Sequence, residues 1–220
     1  MTSASALASL PRWISHWFGY RVAPAPKKSE YVVGLWSFLG AFCGLSTLQA
    51  VFVHVEYFIQ RNVPGIVASF GASAVLCYGA IESPLAQPRA LMGGHFIGAL
   101  IGVCITKLFG LLPTQYRLDE LRWLAGSLSG ATAIVAMQIT RTTHPPAGAT
   151  ALLAAVSPEV YRMGWYYLPI VLLSSTLVLV SALLINNIQR RYPVFWWAPV
   201  LSVVAEPPPD DPEKENDSLA

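Results

Sequence analysis

The chain has 220 residues, 54% of them hydrophobic and 12% charged, with a formal net charge of +2. So small a surplus, with basic residues at segment ends instead of along one face, excludes a nucleic-acid binder. Charges gathered at a few places leave apolar runs of roughly 17 to 23 residues, enough to cross a hydrocarbon core of about 30 Å, and this excludes a water-soluble domain of useful size.

In chain order, residues 1–30 form a basic flank with Arg12, Arg21, Lys27 and Lys28, in which Trp13, Ile14, Trp17 and Phe18 suit the lipid interface. Residues 31–199 read as one transmembrane domain. Within it, stretches at 31–53, 91–111, 121–139 and 165–186 are long enough to span, and 64–81 and 147–156 are shorter, as in re-entrant or broken helices. Trp123, Trp165, Tyr166 and Tyr167 open the third and fourth spans, and Arg190, Arg191, Trp196 and Trp197 follow the last, as in an aromatic belt with basic anchors. Residues 200–220 are acidic and Pro-rich, with no apolar face to bury, and are expected to be a disordered tail. The fold class is therefore all-α, a membrane helix bundle of four spans and two short helices. Cys43, Cys77 and Cys104 lie inside apolar segments without CxxC spacing and read as small hydrophobes, so no metal or cofactor is expected.

Gly71-Ala-Ser-Ala-Val-Leu matches Gly148-Ala-Thr-Ala-Leu-Leu, and a Ser-Pro follows each, at Ser83-Pro84 and Ser157-Pro158. Each half then reads as span, short helix, span, which suggests an internal duplication. The count of Lys and Arg favours short helices that re-enter, with both termini and the 112–122 loop on the cytoplasmic side. In either topology the 82–90 and 141–146 segments share a side.

Those two segments hold the unusual residues: Glu82, Arg89 and the following Gly94-His95 in one, Arg141-Thr142-Thr143-His144-Pro145-Pro146-Ala-Gly148 in the other. Pro145 and Pro146 block helix before them and suit a first turn, so a helix starts there. Its free N–H groups and positive dipole end suit a small anion, with Thr142, Thr143 and His144 as further donors. Arg89 and Arg141 are costly near hydrocarbon unless solvated or paired, Glu82 being one partner, and either line a substrate path or snorkel to the interface. His95 is a second candidate, or a structural hydrogen-bond partner. Gly94, Gly98 and Gly102, like Gly126 and Gly130, give flat faces for close helix approach, within one chain or between subunits.

The His144-Pro-Pro-Ala-Gly-Ala-Thr-Ala run, with Ser83-Pro-Leu-Ala-Gln-Pro-Arg89, Gly94-His95, Asn186-Asn187 and Arg190-Arg191-Tyr192-Pro193, resembles the HPP family of integral membrane proteins, its fungal members most of all, over about residues 30–199. The resemblance implies a four-span transmembrane region and a transport role, with nitrite the substrate of plant plastid members. No HExxH, nucleophile elbow, phosphate loop or paired-carboxylate constellation points to an enzyme. The expected function is a carrier or channel for a small inorganic anion, nitrite first, with a proton as companion taken up by His144 or His95. The alternative is a structural or assembly subunit. The bilayer is the solvent, and four spans make so small a pore wall that a homo-oligomer fits the sequence.

Overall fold

The computed structural model describes Leu7, residues 9–21 and residues 28–198. Lys27 and the acidic tail at 200–220 lie outside the described residues. A short helix α1 (Arg12–Trp17) exposes Trp13 and Trp17. Then come α2 (Glu30–His54), a single turn α3 (Glu56–Ile59), α4 (Ser69–Ala74), which continues as a π-helical turn at Val75–Gly79, and α5 (Pro88–Phe109). The second half has α6 (Gln115–Thr140), α7 (Pro145–Val156), the short α8 (Pro158–Met163) and α9 (Tyr167–Gln189).

Among the described residues, four helical segments are long and apolar enough to cross a membrane, Glu30–His54, Pro88–Phe109, Gln115–Thr140 and Pro158–Gln189, with shorter apolar helices at Ser69–Gly79 and Pro145–Val156. The chain is thus a multi-pass integral membrane protein of all-helical architecture. α6 begins well before the stretch expected at 121 because Thr114 caps it, its Oγ1 accepting from the Arg117 N–H at 3.3 Å. Its first turns are polar, with Arg122 paired to Asp119 at 2.8 Å, and an apolar count passes over them.

Small residues set how closely the helices approach. A Cβ at Gly102 would meet Ala154 Cβ at 2.8 Å, and one at Gly126 would meet Val156 Cγ1 at 2.8 Å; Gly98 faces the Ala147 carbonyl oxygen more closely still. Those glycines therefore join α5 and α6 to α7 within one chain. Gly130, by contrast, has nothing within 4 Å of its missing Cβ. On the other side of the bundle the buried Tyr78 ring lies against Gly40, where a Cβ would be 2.8 Å from Cδ1, and against Gly44.

The topology differs from the re-entrant arrangement that the charge count favours. Tyr192 Oη donates to the Ala86 carbonyl (2.7 Å), Gln87 Oε1 accepts from the Val194 N–H (2.8 Å) and Arg89 Nη1 donates to the Trp197 carbonyl (3.2 Å). The 82–90 turn therefore sits at the end of the bundle where the chain leaves α9. That end also holds the start of α2, since Trp36 Nε1 donates to Gln189 Oε1 at 3.1 Å. At the opposite end, Gly110 and Leu111 line a cavity with Tyr161, Arg162 and Gly164. Each short helix thus carries the chain from one end of the bundle toward the other, and six segments alternate in direction. Among the described residues, Lys and Arg are then shared more evenly: Arg12, Arg21, Lys28, Arg89, Arg141, Arg190 and Arg191 at one end, Arg61, Lys107, Arg117, Arg122 and Arg162 at the other.

With three crossings in each half, the second half runs opposite to the first. α4 and α7 are antiparallel where they meet: Ser69 faces Thr150, and four residues on, Ser73 faces His144. Ser83 and Ser157, the serines of the repeated Ser-Pro pairs, both cap the turn that follows, accepting from Leu85 N–H (3.2 Å) and Val160 N–H (3.5 Å).

Candidate functional site

α6 stops at Arg141, which takes the left-handed conformation (φ 56, ψ 39), and His144 is extended (φ −139, ψ 101), as a residue before proline must be. Pro145 then starts α7. The His144 side chain does not cap that helix; it turns inward, and its Nδ1 lies 2.8 Å from the Leu85 carbonyl oxygen. Gly94 makes room for it, since a Cβ there would lie 2.7 Å from His144 Cβ. The next residue, His95, projects from α5 into the same place, and the two imidazole centroids are 4.9 Å apart.

Between the rings stands Ser73 of α4, its Oγ 2.9 Å from His144 Nε2 and 2.7 Å from His95 Nε2. The second nitrogen of His95, Nδ1, is 2.8 Å from Thr150 Oγ1, and the Thr150 hydroxyl donates to Ser69 Oγ at 2.7 Å. Tyr167 Oη of α9 donates to the Thr150 carbonyl at 3.2 Å, and Phe70 stacks on His95 with centroids 4.3 Å apart. His95, His144, Ser73 and Thr150 are each 0% exposed. One continuous hydrogen-bonded chain thus runs from the Leu85 carbonyl to Ser69 through the centre of the bundle, drawing on α4, α5 and α7. Ser73 and Thr150 occupy matching positions of the internal repeat, and His95 bridges them.

The remaining expected residues fall around this centre. Thr142 is buried beside Gly93 and bonded to Thr140 Oγ1 at 2.8 Å; Pro146 is buried, and its carbonyl lies 3.5 Å from Thr150 Oγ1. Thr143, Pro145 and Gly148 lie nearer the surface, with open space at Gly148. Arg141 is exposed. Arg89 donates to the Thr140 carbonyl at 2.7 Å and lies 5.0 Å from the Trp197 ring centroid, so it closes the end of α6 instead of reaching the histidines. Glu82 forms no ion pair among the described residues. The α7 N-terminus offers fewer free donors than expected: its two prolines have no N–H, and the Ala147 N–H donates to the His144 carbonyl at 2.8 Å. Donors at the centre are side chains. Sequence reasoning missed Ser69, Ser73, Thr150 and Tyr167, although the repeated Gly-Ala-Ser/Thr-Ala already marked Ser73 and Thr150 as equivalents.

A second polar cluster seals the bundle at the end that holds α1. Arg190 donates to the Tyr78 carbonyl (2.9 Å) and to Ser37 Oγ (3.3 Å), and Asn186 Nδ2 donates to the Cys77 carbonyl (2.9 Å), so the π turn's freed carbonyls are satisfied. Arg21 donates to Asn187 Oδ1 (3.0 Å) and the Arg190 carbonyl (3.1 Å). Burial lowers the pKa of Arg21, and Arg191 nearby lowers it further. Two openings lie at the other end: a cavity of about 370 Å³ bounded by Thr106, Lys107, Ala154 and Arg162, and a wider groove of about 1130 Å³ bounded by Gln49, Phe52, Arg61 and Glu159. Neither is lined by His95 or His144, and both of those residues are fully buried in this conformation.

The profile of the HPP transmembrane region matches residues 26–193. A transmembrane protein of Dictyostelium discoideum is 36% identical over 169 residues, covering 77% of this chain and 51% of its own length. A second from the same organism is 38% identical over 145 residues, covering 66% of this chain and 48% of its own. The chain thus spans about half the length of the curated relatives it matches. No solved structure matches.

Proposed function

The chain belongs to the HPP family of integral membrane proteins, and from that premise we propose that it transports a small inorganic anion, with nitrite the first substrate to test. The observation that carries this reading is the fully buried His144–Ser73–His95–Thr150 network where two short antiparallel helices cross. Polar groups at membrane depth are expensive, and short helices crossing between inverted halves are where transporters of many folds hold their substrates. The positive end of α7 is aimed at this region, and Arg89 and Arg141 lie at the same end of the bundle, which favours a negative solute.

The test is uptake of nitrite, nitrate, formate and chloride by liposomes containing the purified protein. His144→Ala is expected to lower nitrite flux by about tenfold, corresponding to about 1.4 kcal/mol of lost stabilisation in the rate-limiting state. Arg141→Ala is expected to lower it less, because the guanidinium acts only through its field. Flux unchanged in folded His144→Ala protein removes the network from the path. Absence of flux for all four anions, with a tightly held partner recovered in mild detergent, would instead favour a structural subunit.

A further inference from the structure

Five hydrogen bonds join the Leu85 carbonyl, His144, Ser73, His95, Thr150 and Ser69 in series. A carbonyl only accepts, so His144 Nδ1 carries a proton. Thr150 gives its hydroxyl proton to Ser69, so His95 Nδ1 must supply the proton of the bond to Thr150. Ser73 is left with one proton and two imidazole Nε2 atoms to satisfy, at 2.7 and 2.9 Å, both nearer than the Ser69 carbonyl oxygen at 3.3 Å, which the same hydroxyl also reaches within its helix. If both rings are neutral, one Nε2 lone pair faces the Ser73 oxygen with no proton between them, which is repulsive at that distance. One added proton completes all five bonds.

We propose that this chain is the binding site of one excess proton, shared by His95 and His144 through the Ser73 hydroxyl, and that the proton is bound together with the transported anion. The inference rests on the transport reading. With the proton on His95, its Nε2–H donates to Ser73 Oγ and the Ser73 O–H donates to His144 Nε2. When His95 gives that proton to Ser73 and Ser73 passes its own to His144, the charge has moved from one ring to the other, no atom is gained or lost, and the other three bonds are unchanged.

The groups facing the two rings are Ser73 and Phe70 of α4, Thr150 of α7 and the Leu85 carbonyl; Ser69 and Tyr167 are one bond further out, and Met137 and Thr142 lie with His144 Cβ around Gly94. No Asp, Glu, Lys or Arg side chain is hydrogen-bonded to either ring among the described residues. An imidazolium buried without a counter-charge is costly, and a co-bound anion supplies that charge. Anion and proton together make a neutral load, so net transport moves no charge.

The experiment uses the full chain in lipid nanodiscs, weakly buffered near about pH 6.5, where an ordinary imidazole titrates. Nitrite is added, proton uptake is read with a soluble pH indicator, and the imidazole nitrogens are followed by 15N NMR. Expected are one proton taken up per nitrite bound, an imidazolium signature at the two buried rings, and liposome uptake driven by a pH gradient but insensitive to membrane potential. Ser73→Ala should abolish the proton uptake, and Ser73→Thr, which keeps the hydroxyl as Thr150 does in the matching half, should restore it. Nitrite flux that persists without proton uptake, both rings staying neutral, overturns this inference and leaves anion transport standing. No flux of nitrite, nitrate, formate or chloride by folded wild-type protein overturns the transport reading and this inference with it.

Discussion

Replacing Gly98 by Ala tests whether α5 and α7 touch through their backbones. The new methyl would overlap the Ala147 carbonyl oxygen, with Ala147 Cβ at 3.5 Å, and a backbone carbonyl inside a helix cannot turn aside. Overpacking of this kind costs about 1–3 kcal/mol, and for a chain of this size each kcal/mol lowers the melting temperature by roughly 2–4 °C, so a fall of roughly 2–12 °C is expected. Gly126→Ala meets a different obstacle, the Val156 Cγ1 methyl at 2.8 Å, which belongs to a side chain. Its loss should therefore be recovered by adding Val156→Ala, whereas Ala147→Gly should not rescue Gly98→Ala, because the obstructing oxygen remains. Gly130→Ala meets nothing and should be neutral or gain up to about 1 kcal/mol of helix propensity. The assay is thermal unfolding of the purified proteins in one detergent. A Gly98→Ala protein as stable as wild type, or one rescued by Ala147→Gly, would refute the argument.

Three further outcomes follow from the same geometry. Single cysteines at Ser29 and Glu82, in a background without Cys43, Cys77 and Cys104, should label from the same face of the membrane and one at Thr114 from the opposite face; labelling of Ser29 and Glu82 from different faces would restore the re-entrant topology. Asn186→Ala removes the donor to the buried Cys77 carbonyl and should cost about 1–3 kcal/mol in thermal unfolding, a loss under 0.5 kcal/mol counting against it. Tyr167→Phe removes one bond to the Thr150 carbonyl and should cost about 0.5–1.5 kcal/mol with nitrite flux largely retained; abolished flux would place the hydroxyl in the path itself.

Much of this architecture can be read from residue order because lipid imposes it: the long apolar runs and the proline-opened α7 need no tertiary knowledge, whereas Tyr167, expected at an aromatic edge, is buried against Thr150. The crossing direction of the short helices could not be read that way. It depends on contacts far apart in sequence, such as Tyr192 with Ala86, and the charge count that stood in for them misled because the two ends differ by only a few residues. At the site, His95 and His144 were visible as polar residues beside a helix break. Ser73 and Thr150 were not, because a hydroxyl in an apolar helix usually bonds its own backbone, as Ser174 and Ser175 do here. Arg89 and Arg141 attracted notice for their cost in lipid, which the fold lowers by leaving both at the rim.

The opposed directions of the two halves bear on how such a chain could arise. If the halves descend from one three-helix ancestor, that ancestor had to insert into the bilayer both ways round, one copy inverted against the other, before the genes were joined. A segment with a strong excess of Lys and Arg on one face cannot do that, because its loops commit it to a single orientation. The sharing of basic residues between the two ends, seven and five among the described residues, fits such an ancestor better than a strong one-sided excess would, and Arg190, buried against the π turn of the opposite half, ties the two halves together.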